Sequence, residues 1–148
     1  MGLDMYLYKK IYVGANYEFN KITGKIELYR DGKLINVNLS KVSEIVEDCG
    51  YWRKANHIHK WFVDNVQDGE DNCAEYYVSK EKLKDLLKLC KDSLENKDMA
   101  QQLLPTSSGF FFGSTDYDEY YYQDIEDTIK IIEPLIESDG DIYYHSSW

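Results

Sequence analysis

The sequence predicts an α+β fold in a single domain spanning residues 1–148, with helices packed against a mixed or antiparallel sheet. Predicted strands stand at both ends of the chain, and segments with an apolar residue every three or four positions lie between them. The first three predicted strands have no helices between them, which argues against a parallel doubly wound sheet. The length of 148 residues and the 43% of hydrophobic residues suit one domain with its own core.

The chain opens with β structure. Residues 3–13 alternate between apolar and polar side chains, with Leu3, Met5 and Leu7 on one side. Two further strand-like segments, residues 25–30 and 33–39, flank an Asp-Gly dipeptide at positions 31 and 32. Asp-Gly is a favoured hairpin turn, so we expect these two segments to pair.

Two helices are predicted next. Ser40 is a suitable N-cap for a short helix, and Gly50 is a suitable stop. The apolar face of this short helix would consist of Val42, Ile45, Val46 and Cys49. A second helix is predicted from Tyr51 onwards, because apolar residues recur there at spacings of three and four. Its buried face would consist of Tyr51, Ala55, Ile58, Phe62 and Val66.

In the middle of the chain, the sequence predicts a loop, a strand and a further pair of helices. Residues 67–72 are acidic and indicate a loop, and residues 75–78 indicate a short strand. Ser79 is placed to cap a helix, after which Pro105 closes a brief helical segment. The apolar face of the capped helix would consist of Leu83, Leu87, Cys90 and Leu94.

The last third of the chain predicts a loop at 106–109, a buried strand at 110–112 and a turn at 113–116. Thr115 or Asp116 would cap the long helix that follows, and Pro134 would kink or end it. The buried face of this helix would consist of Tyr121, Ile125, Ile129, Ile132 and Leu135. An Asp-Gly turn then leads into a final strand at 142–148.

Charge and cysteine content restrict the function. The formal net charge of −10 repels nucleic acid and anionic membranes at long range, so we expect neither as a direct partner. The three cysteines form no C-x-x-C pair, which favours neither a disulfide framework nor a zinc knuckle. The first residues lack the features of a signal peptide, and no apolar run is long enough to span a membrane. We therefore expect a reduced, intracellular protein without a cofactor or metal.

A polar ridge is predicted on the helix that starts at Tyr51. On a helical wheel, one sector opposite the apolar stripe contains Arg53, Asn56, His57 and Lys60. Cations on one face of an acidic protein can hold a phosphate by charge-assisted hydrogen bonds. The alternative is an ordinary solvated face, and Asp64 on the same ridge favours that alternative. His57 and His59 point in different directions on a helix and cannot bind one metal together, so His59 is expected to be hydrogen-bonded and partly buried.

The segment 106–116 is the second candidate for ligand binding. It contains small residues and hydroxyl groups, and it precedes a predicted helix N-terminus that could present N–H groups to an anion. The hydroxyl groups that could contact a ribose or phosphate belong to Thr106, Ser107, Ser108 and Ser114. The alternative is turn formation and helix capping alone, because the segment matches no established phosphate-binding motif. Acids at the start of the helix that follows complement its dipole and do not predict a magnesium site.

Tyrosine is unusually frequent, with 14 residues. Neighbouring tyrosines cannot all be buried, so several must present ring and hydroxyl at a surface. Such surfaces suit nucleotide bases and protein partners. Tyr120, which lies close to the 106–116 segment, is the candidate for contact with a base.

Four blocks of the sequence resemble a family of small bacteriophage and prophage proteins. They lie at 1–7, 51–56, 109–115 and 146–148 and read MGLDMYL, YWRKAN, GFFFGST and SSW. The resemblance spans nearly the whole chain. It implies no activity or functional residue, but it implies a setting, namely an accessory protein in the cytoplasm of an infected or lysogenic bacterium.

Two functions compete in that setting. The first is binding of a small phosphate-containing ligand, such as a nucleotide signal of host defence, by the polar ridge and the 106–116 segment. The second is an acidic, Tyr-rich interaction protein that occupies or inhibits a host protein. An enzyme acting on a nucleotide ranks third. A homodimer is a further hypothesis, based on the Tyr-rich segments and the final strand ending in Trp148.

Overall fold

A four-stranded antiparallel sheet forms the centre of the fold, and helices cover one of its faces. The computed structural model describes residues 2–14, 17–20 and 24–148. Met1, which belongs to the first block of the bacteriophage resemblance, lies outside these residues. The α+β class, the single domain and the antiparallel sheet that the sequence predicts are confirmed.

The strands of this sheet stand in the order β4-β1-β6-β5, and a separate hairpin consists of β2 and β3. The strand bounds are β1 Asp4–Tyr12, β2 Leu28–Arg30, β3 Lys33–Ile35, β4 Glu44–Arg53, β5 Tyr76–Val78 and β6 Asp141–Ser147. The helix bounds are α1 Asn56–Asn65, α2 Lys80–Glu95, α3 Ala100–Leu103 and α4 Glu119–Ile136. Short 3-10 helices occupy Glu18–Asn20, Leu39–Lys41 and Lys97–Met99.

Apolar and polar side chains alternate along β1, as the sequence predicts, so the two faces of this strand differ in character. Met5 pairs with Trp52 of β4 and faces the helices, where both side chains are buried. Tyr6 pairs with Tyr51 and His145 on the opposite, outer face. The register shifts between Leu7 and Tyr8, because β4 contains one extra residue at that point.

Aromatic stacking and helix packing build the core between the sheet and the helices. Phe62 of α1 stacks on Tyr144 of β6 with ring centroids 3.9 Å apart. Trp52 of β4 donates a 2.8 Å hydrogen bond from Nε1 to the hydroxyl of Thr128 in α4. The two long helices contribute the buried apolar residues Leu83, Leu86, Cys90, Tyr121, Ile125, Ile132 and Leu135.

The helix predicted at residues 42–49 is wrong, because these residues enter strand β4. Their apolar spacing fits a helix, but pairing of β4 with β1 along its whole length satisfies the backbone instead. Gly50 therefore does not end a helix. An added Cβ at Gly50 would lie 2.5 Å from Cγ2 of Ile131, so a glycine is needed there for the close approach of α4.

The helix predicted from Tyr51 begins later, at Asn56, since Tyr51 to Arg53 complete β4. Lys54, with a φ of 63°, turns the chain from the strand into α1. The expected strand at 110–112 is also wrong. Those residues form a turn, in which Phe110 is 84% exposed and Phe112 alone is buried.

The N-cap of α4 is Asp118, not Thr115 or Asp116. Its carboxylate accepts hydrogen bonds from the N–H groups of Tyr120 and Tyr121 at 3.0 and 3.1 Å. The helix runs through Pro134, which was expected to kink or end it, and ends two residues later at Ile136. The predicted hairpin around Asp31-Gly32, the cap at Ser79 and the strands near residues 76 and 142 are present.

Candidate functional site

Asn56, the first residue of α1, ties this helix to the 106–116 loop. Its side chain is 1% exposed. Its Nδ2 group donates to the backbone oxygens of Phe112 at 3.1 Å and Ser114 at 2.8 Å. Its Oδ1 atom accepts a 2.9 Å hydrogen bond from the backbone N–H of Ser107. One side chain thus holds both arms of the loop against the start of α1.

A cleft of about 320 Å³ lies between the start of α1, the 106–116 loop and the first turns of α4. Of the residues selected from the sequence, the structure brings together on this cleft Arg53, Asn56, His57, Thr106, Ser114 and Tyr120. The other lining residues are Lys54, Gly113, Asp116, Asp118, Tyr121 and Asp124.

Three selected residues do not line the cleft. Lys60 borders a smaller cavity of about 180 Å³, and its ammonium group pairs with Asp64 at 2.7 Å. Ser107 contributes a backbone N–H to Asn56, while Ser108 is exposed. Lys60, Ser107 and Ser108 are therefore poorly placed to contact a ligand in the cleft.

The alternative of an ordinary solvated ridge on α1 is wrong for Asn56 and His57, which are both buried. The predicted ridge requires a helix starting at Tyr51, whereas residues 51–53 belong to a strand. In addition, the 106–116 loop folds over the first turn of α1. Tertiary contact therefore covers positions that an isolated helix would present to water.

His57 is a neutral histidine with an unused nitrogen. It is 3% exposed, and its ring lies 4.2 Å from the ring of Tyr121, centroid to centroid. Burial lowers the pKa of His57 from 6.5 to about 3, although a backbone hydrogen bond at Tyr121 acts in the opposite direction. The Nε2 atom is buried and has no hydrogen-bond partner among the described residues. His57 lines both the cleft and the smaller cavity.

The charges of the cleft nearly balance. Arg53 is 57% exposed and lies 3.9 Å from Asp4, and Lys54 follows it in the chain. Three carboxyl groups oppose them, those of Asp116, Asp118 and Asp124. Burial, followed by the nearby carboxylates Asp127 and Asp118, raises the pKa of Asp124 to about 7. Asp124 is therefore about half protonated near neutral pH, and the cleft suits a ligand with both an anionic group and hydrogen-bond donors.

The N-terminus of α4 is not open to an anion in the way the sequence suggested. Asp118 already accepts from the first N–H groups of the helix. Two hydroxyl groups of the loop are also engaged locally, since Thr106 donates to the oxygen of Thr115 and Ser114 accepts from the N–H of Asp116. Positive charge for an anion must therefore come from Arg53 and Lys54.

His59 belongs to the core and not to the cleft. Its Nδ1 atom lies 2.7 Å from the hydroxyl of Tyr144, and its Nε2 atom lies 3.0 Å from a carboxylate oxygen of Asp71. Asp71 also accepts a 3.0 Å hydrogen bond from the indole of Trp148. His59 is more deeply buried than the sequence suggested, and this network anchors the end of β6 to the loop after α1.

Lys54, Tyr121 and Asp124 are lining residues that sequence reasoning missed. A signal for two of them exists, because Tyr121, Asp124 and Thr128 recur at spacings of three and four along α4. An acidic residue on the buried side of a helix is unusual and often marks a polar site. Lys54 carries no such signal, since its position follows from the turn between β4 and α1.

In residues 2–14, 17–20 and 24–148, no group of three or more His, Cys, Asp and Glu side chains is arranged to hold a metal ion. The helices in the same residues are each too short or too polar to cross a membrane.

Many tyrosines lie on the outer face of the sheet, where Tyr6 and Tyr8 stack with ring centroids 6.0 Å apart. A host protein as the partner of that surface stays a prediction.

No protein-family model, curated protein or solved structure matches the chain.

Proposed function

We propose that the protein binds a small phosphate-containing ligand of the nucleotide class in the cleft between α1, the 106–116 loop and α4. The observation that carries this proposal is the buried side chain of His57, which lines the cleft and whose Nε2 atom has no hydrogen-bond partner among the residues that the structure describes. An unsatisfied buried polar atom costs about 1–3 kcal/mol. A ligand atom that hydrogen-bonds to Nε2 recovers that free energy.

The cations Arg53 and Lys54 support binding of the phosphate. Both side chains line the cleft and follow one another where β4 ends. Hydrogen bonds from a guanidinium or ammonium group to a phosphate are stronger than neutral ones. The carboxylates of Asp116 and Asp118 make the cleft a poor site for an isolated anion, so the remainder of the ligand must also contribute.

The aromatic and acidic residues support binding of a nucleobase. Tyr120 is 72% exposed at the cleft and offers a ring face for stacking. The carboxyl group of Asp124 can accept a hydrogen bond from an exocyclic amino group when it is ionised. A volume of about 320 Å³ lies at the lower end of the range of small-ligand sites.

The proposed binding fits the setting that the bacteriophage resemblance implies. A phage protein that holds a nucleotide without converting it would lower the free concentration of a host defence signal. The proposed role is therefore sequestration in the host cytoplasm, and it assigns no catalytic residue.

Thermal unfolding with a panel of AMP, a cyclic nucleotide, ADP-ribose and inorganic phosphate tests the proposal. A ligand at 100 times its Kd stabilises a protein by about 2.7 kcal/mol, which corresponds to a rise in Tm of about 5–10 °C for a domain of this size. We expect such a rise with at least one nucleotide, and its loss in Arg53→Ala and Lys54→Ala. Lys60→Ala is the matched control, because Lys60 pairs with Asp64 outside the cleft. An unchanged Tm across the nucleotides at millimolar concentration would refute binding.

Asp124 provides a test of the polarity of the cleft that needs no ligand. Its pKa is raised from 3.8 to about 7, so the folded protein holds this proton more tightly than the unfolded chain. The contribution of Asp124 to stability therefore falls as pH rises from about 4 to 7 and is constant above that range. We expect Asp124→Asn, which mimics the protonated form, to gain Tm relative to wild type as pH is raised from 5 to 8.

Glu126→Gln is the control for this experiment, since it removes one exposed carboxylate from the same helix. The measurement is the difference in Tm between each variant and wild type across the pH series. A difference for Asp124→Asn that does not change with pH would contradict the assigned burial of this carboxyl group.

A further inference from the structure

Strand β4 is a long, exposed edge of the sheet. It has ten residues, whereas β5 at the opposite edge has three. The large apolar side chains of Val46 and Tyr51 in β4 are 51% and 52% exposed. Unpaired backbone groups along such an edge can hydrogen-bond to another strand, and proteins commonly keep exposed edges short or covered.

The sequence of β4 is complementary to itself when read in reverse. Glu44 begins the strand and Arg53 ends it, and Val46 and Tyr51 stand at equal distances from the two ends. When two copies of β4 lie antiparallel about a two-fold axis between Asp48 and Cys49, Glu44 of each copy faces Arg53 of the other. In the same register, Val46 of each copy faces Tyr51 of the other.

The extra residue in β4 forms a β-bulge. Because of it, residues that would face each other in this register also lie on the same face of the sheet. Val46 pairs with Lys10 of β1, and Tyr51 pairs with Tyr6, so both side chains lie on the outer face. In a regular strand, residues five apart would point to opposite faces. The extra residue Cys49 shifts the alternation by one position and brings Val46 and Tyr51 to the same side.

The charged residues at the two ends of β4 also lie on the outer face of the sheet. Glu44 pairs with Tyr12 of β1, and Arg53 pairs with Asp4, and these two β1 residues also belong to the outer face. Antiparallel neighbours directly opposite each other have Cβ atoms about 4.5–5.5 Å apart, within reach of a Glu–Arg contact. One interface would therefore contain two opposite-charge pairs and two apolar pairs.

From this complementarity we infer that two copies of the chain pair through their β4 strands to form a continuous eight-stranded sheet. A cavity of about 410 Å³ on the outer face is lined by Tyr6, Tyr8, Asp48, Cys49, Gly50 and Tyr51 and borders this edge. A second copy adds its Val46 beside Tyr51 at the border of that cavity. The interface is of the kind in which identical patches meet about a two-fold axis.

Two repulsive contributions limit the strength of this dimer. Each copy carries a formal charge of −10, but salt screens charges beyond about 8 Å at physiological ionic strength. The two Asp48 carboxylates approach each other at the axis. The inference does not depend on ligand binding, since a guanidinium group has five donors and Arg53 can contact both a carboxylate and a ligand.

Sedimentation of charge-reversal variants tests the inference. We expect the wild-type chain to form dimers, and Glu44→Arg or Arg53→Glu to raise the dimer dissociation constant about tenfold or more, because each change turns two attractive pairs into repulsive ones. The double variant Glu44→Arg/Arg53→Glu restores both pairs and should dimerise like wild type. Glu95→Arg, a charge reversal of equal size at the exposed end of α2, is the matched control and should leave dimerisation unchanged.

A cysteine pair fixes the register independently. In a Cys49→Ser background, which removes the free native thiol beside the axis, Val46→Cys with Tyr51→Cys places thiols directly opposite each other, at a separation that a disulfide can bridge with small adjustments. Mild oxidation should yield a covalent dimer. A monomeric wild-type chain, a Glu44→Arg variant that dimerises like wild type, or a double charge variant that stays monomeric would each overturn the inference. Failure of the cysteine pair to cross-link would overturn the register.

Discussion

The His57→Phe variant is expected to resist acid far better than the wild-type protein. The pKa of His57 is about 3 in the folded protein and about 6.5 in the unfolded chain, so below pH 6.5 the unfolded chain binds the proton more tightly. The contribution of neutral His57 to stability is therefore complete above pH 6.5 and is lost as pH falls towards 3. At pH 4 this loss amounts to about 3 kcal/mol.

Phenylalanine keeps an aromatic ring against Tyr121 but cannot bind a proton. The measurement is the free energy of unfolding in urea at pH 7, 6, 5 and 4 for both proteins. We expect the difference between variant and wild type to move in favour of the variant by about 3 kcal/mol across this range.

Phe62→Leu is the control for this comparison, because it weakens the core of the same helix without removing an ionisable group. Its difference from wild type should be constant with pH. If the difference between His57→Phe and wild type is equally constant with pH, His57 is not held neutral by burial.

The Asn56→Ala variant is expected to release the 106–116 loop. The substitution removes three hydrogen bonds, two donated to Phe112 and Ser114 and one accepted from Ser107. Because these backbone groups lose their partner at a site where Asn56 is 1% exposed, we expect the free energy of unfolding to fall by about 2–4 kcal/mol.

The same change should abolish ligand binding, since Asn56 holds the loop that forms one wall of the cleft. Hydrogen exchange would show the effect directly as lost protection of the Ser107 N–H group. Asn65→Ala is the matched control, because Asn65 donates a hydrogen bond to the carbonyl of Trp61 within α1, away from the 106–116 loop. We expect it to cost about 1 kcal/mol or less. Equal losses for the two variants would show that Asn56 does not clamp the loop.

Local patterns were sufficient for the fold class and for most helices. Ser79 caps α2 as its position before an apolar repeat indicated, and Asp31-Gly32 turns the β2–β3 hairpin. These features depend on neighbours in the chain, and short-range geometry determines them. The same reasoning was wrong for residues 42–49, whose apolar spacing fits a helix although residues 44–49 belong to β4. Pairing with β1, which is distant in sequence, decides that segment.

For the candidate site, too, local patterns predicted some features, and contacts between distant segments decided the others. Polar groups and hydroxyls in short segments predicted Arg53, Thr106 and Ser114 as site residues, and the structure brings these three to one cleft. The state of each group was not predictable, because burial of Asn56 and His57 depends on a loop fifty residues away. Asp124 was missed for the same reason, since its pKa depends on burial against other elements and on two neighbouring carboxylates.

The sequence by itself determined an α+β domain of high acidity, the start of α2 at its Ser79 cap, and the residue types available for a polar site. The tertiary structure decided that residues 44–53 form a sheet edge, that α1 starts at Asn56 and that His57 is buried and uncharged. The physical reason is that capping, turns and apolar periodicity act over a few residues. Strand pairing, desolvation and the closing of a loop over a helix instead depend on which distant segments meet.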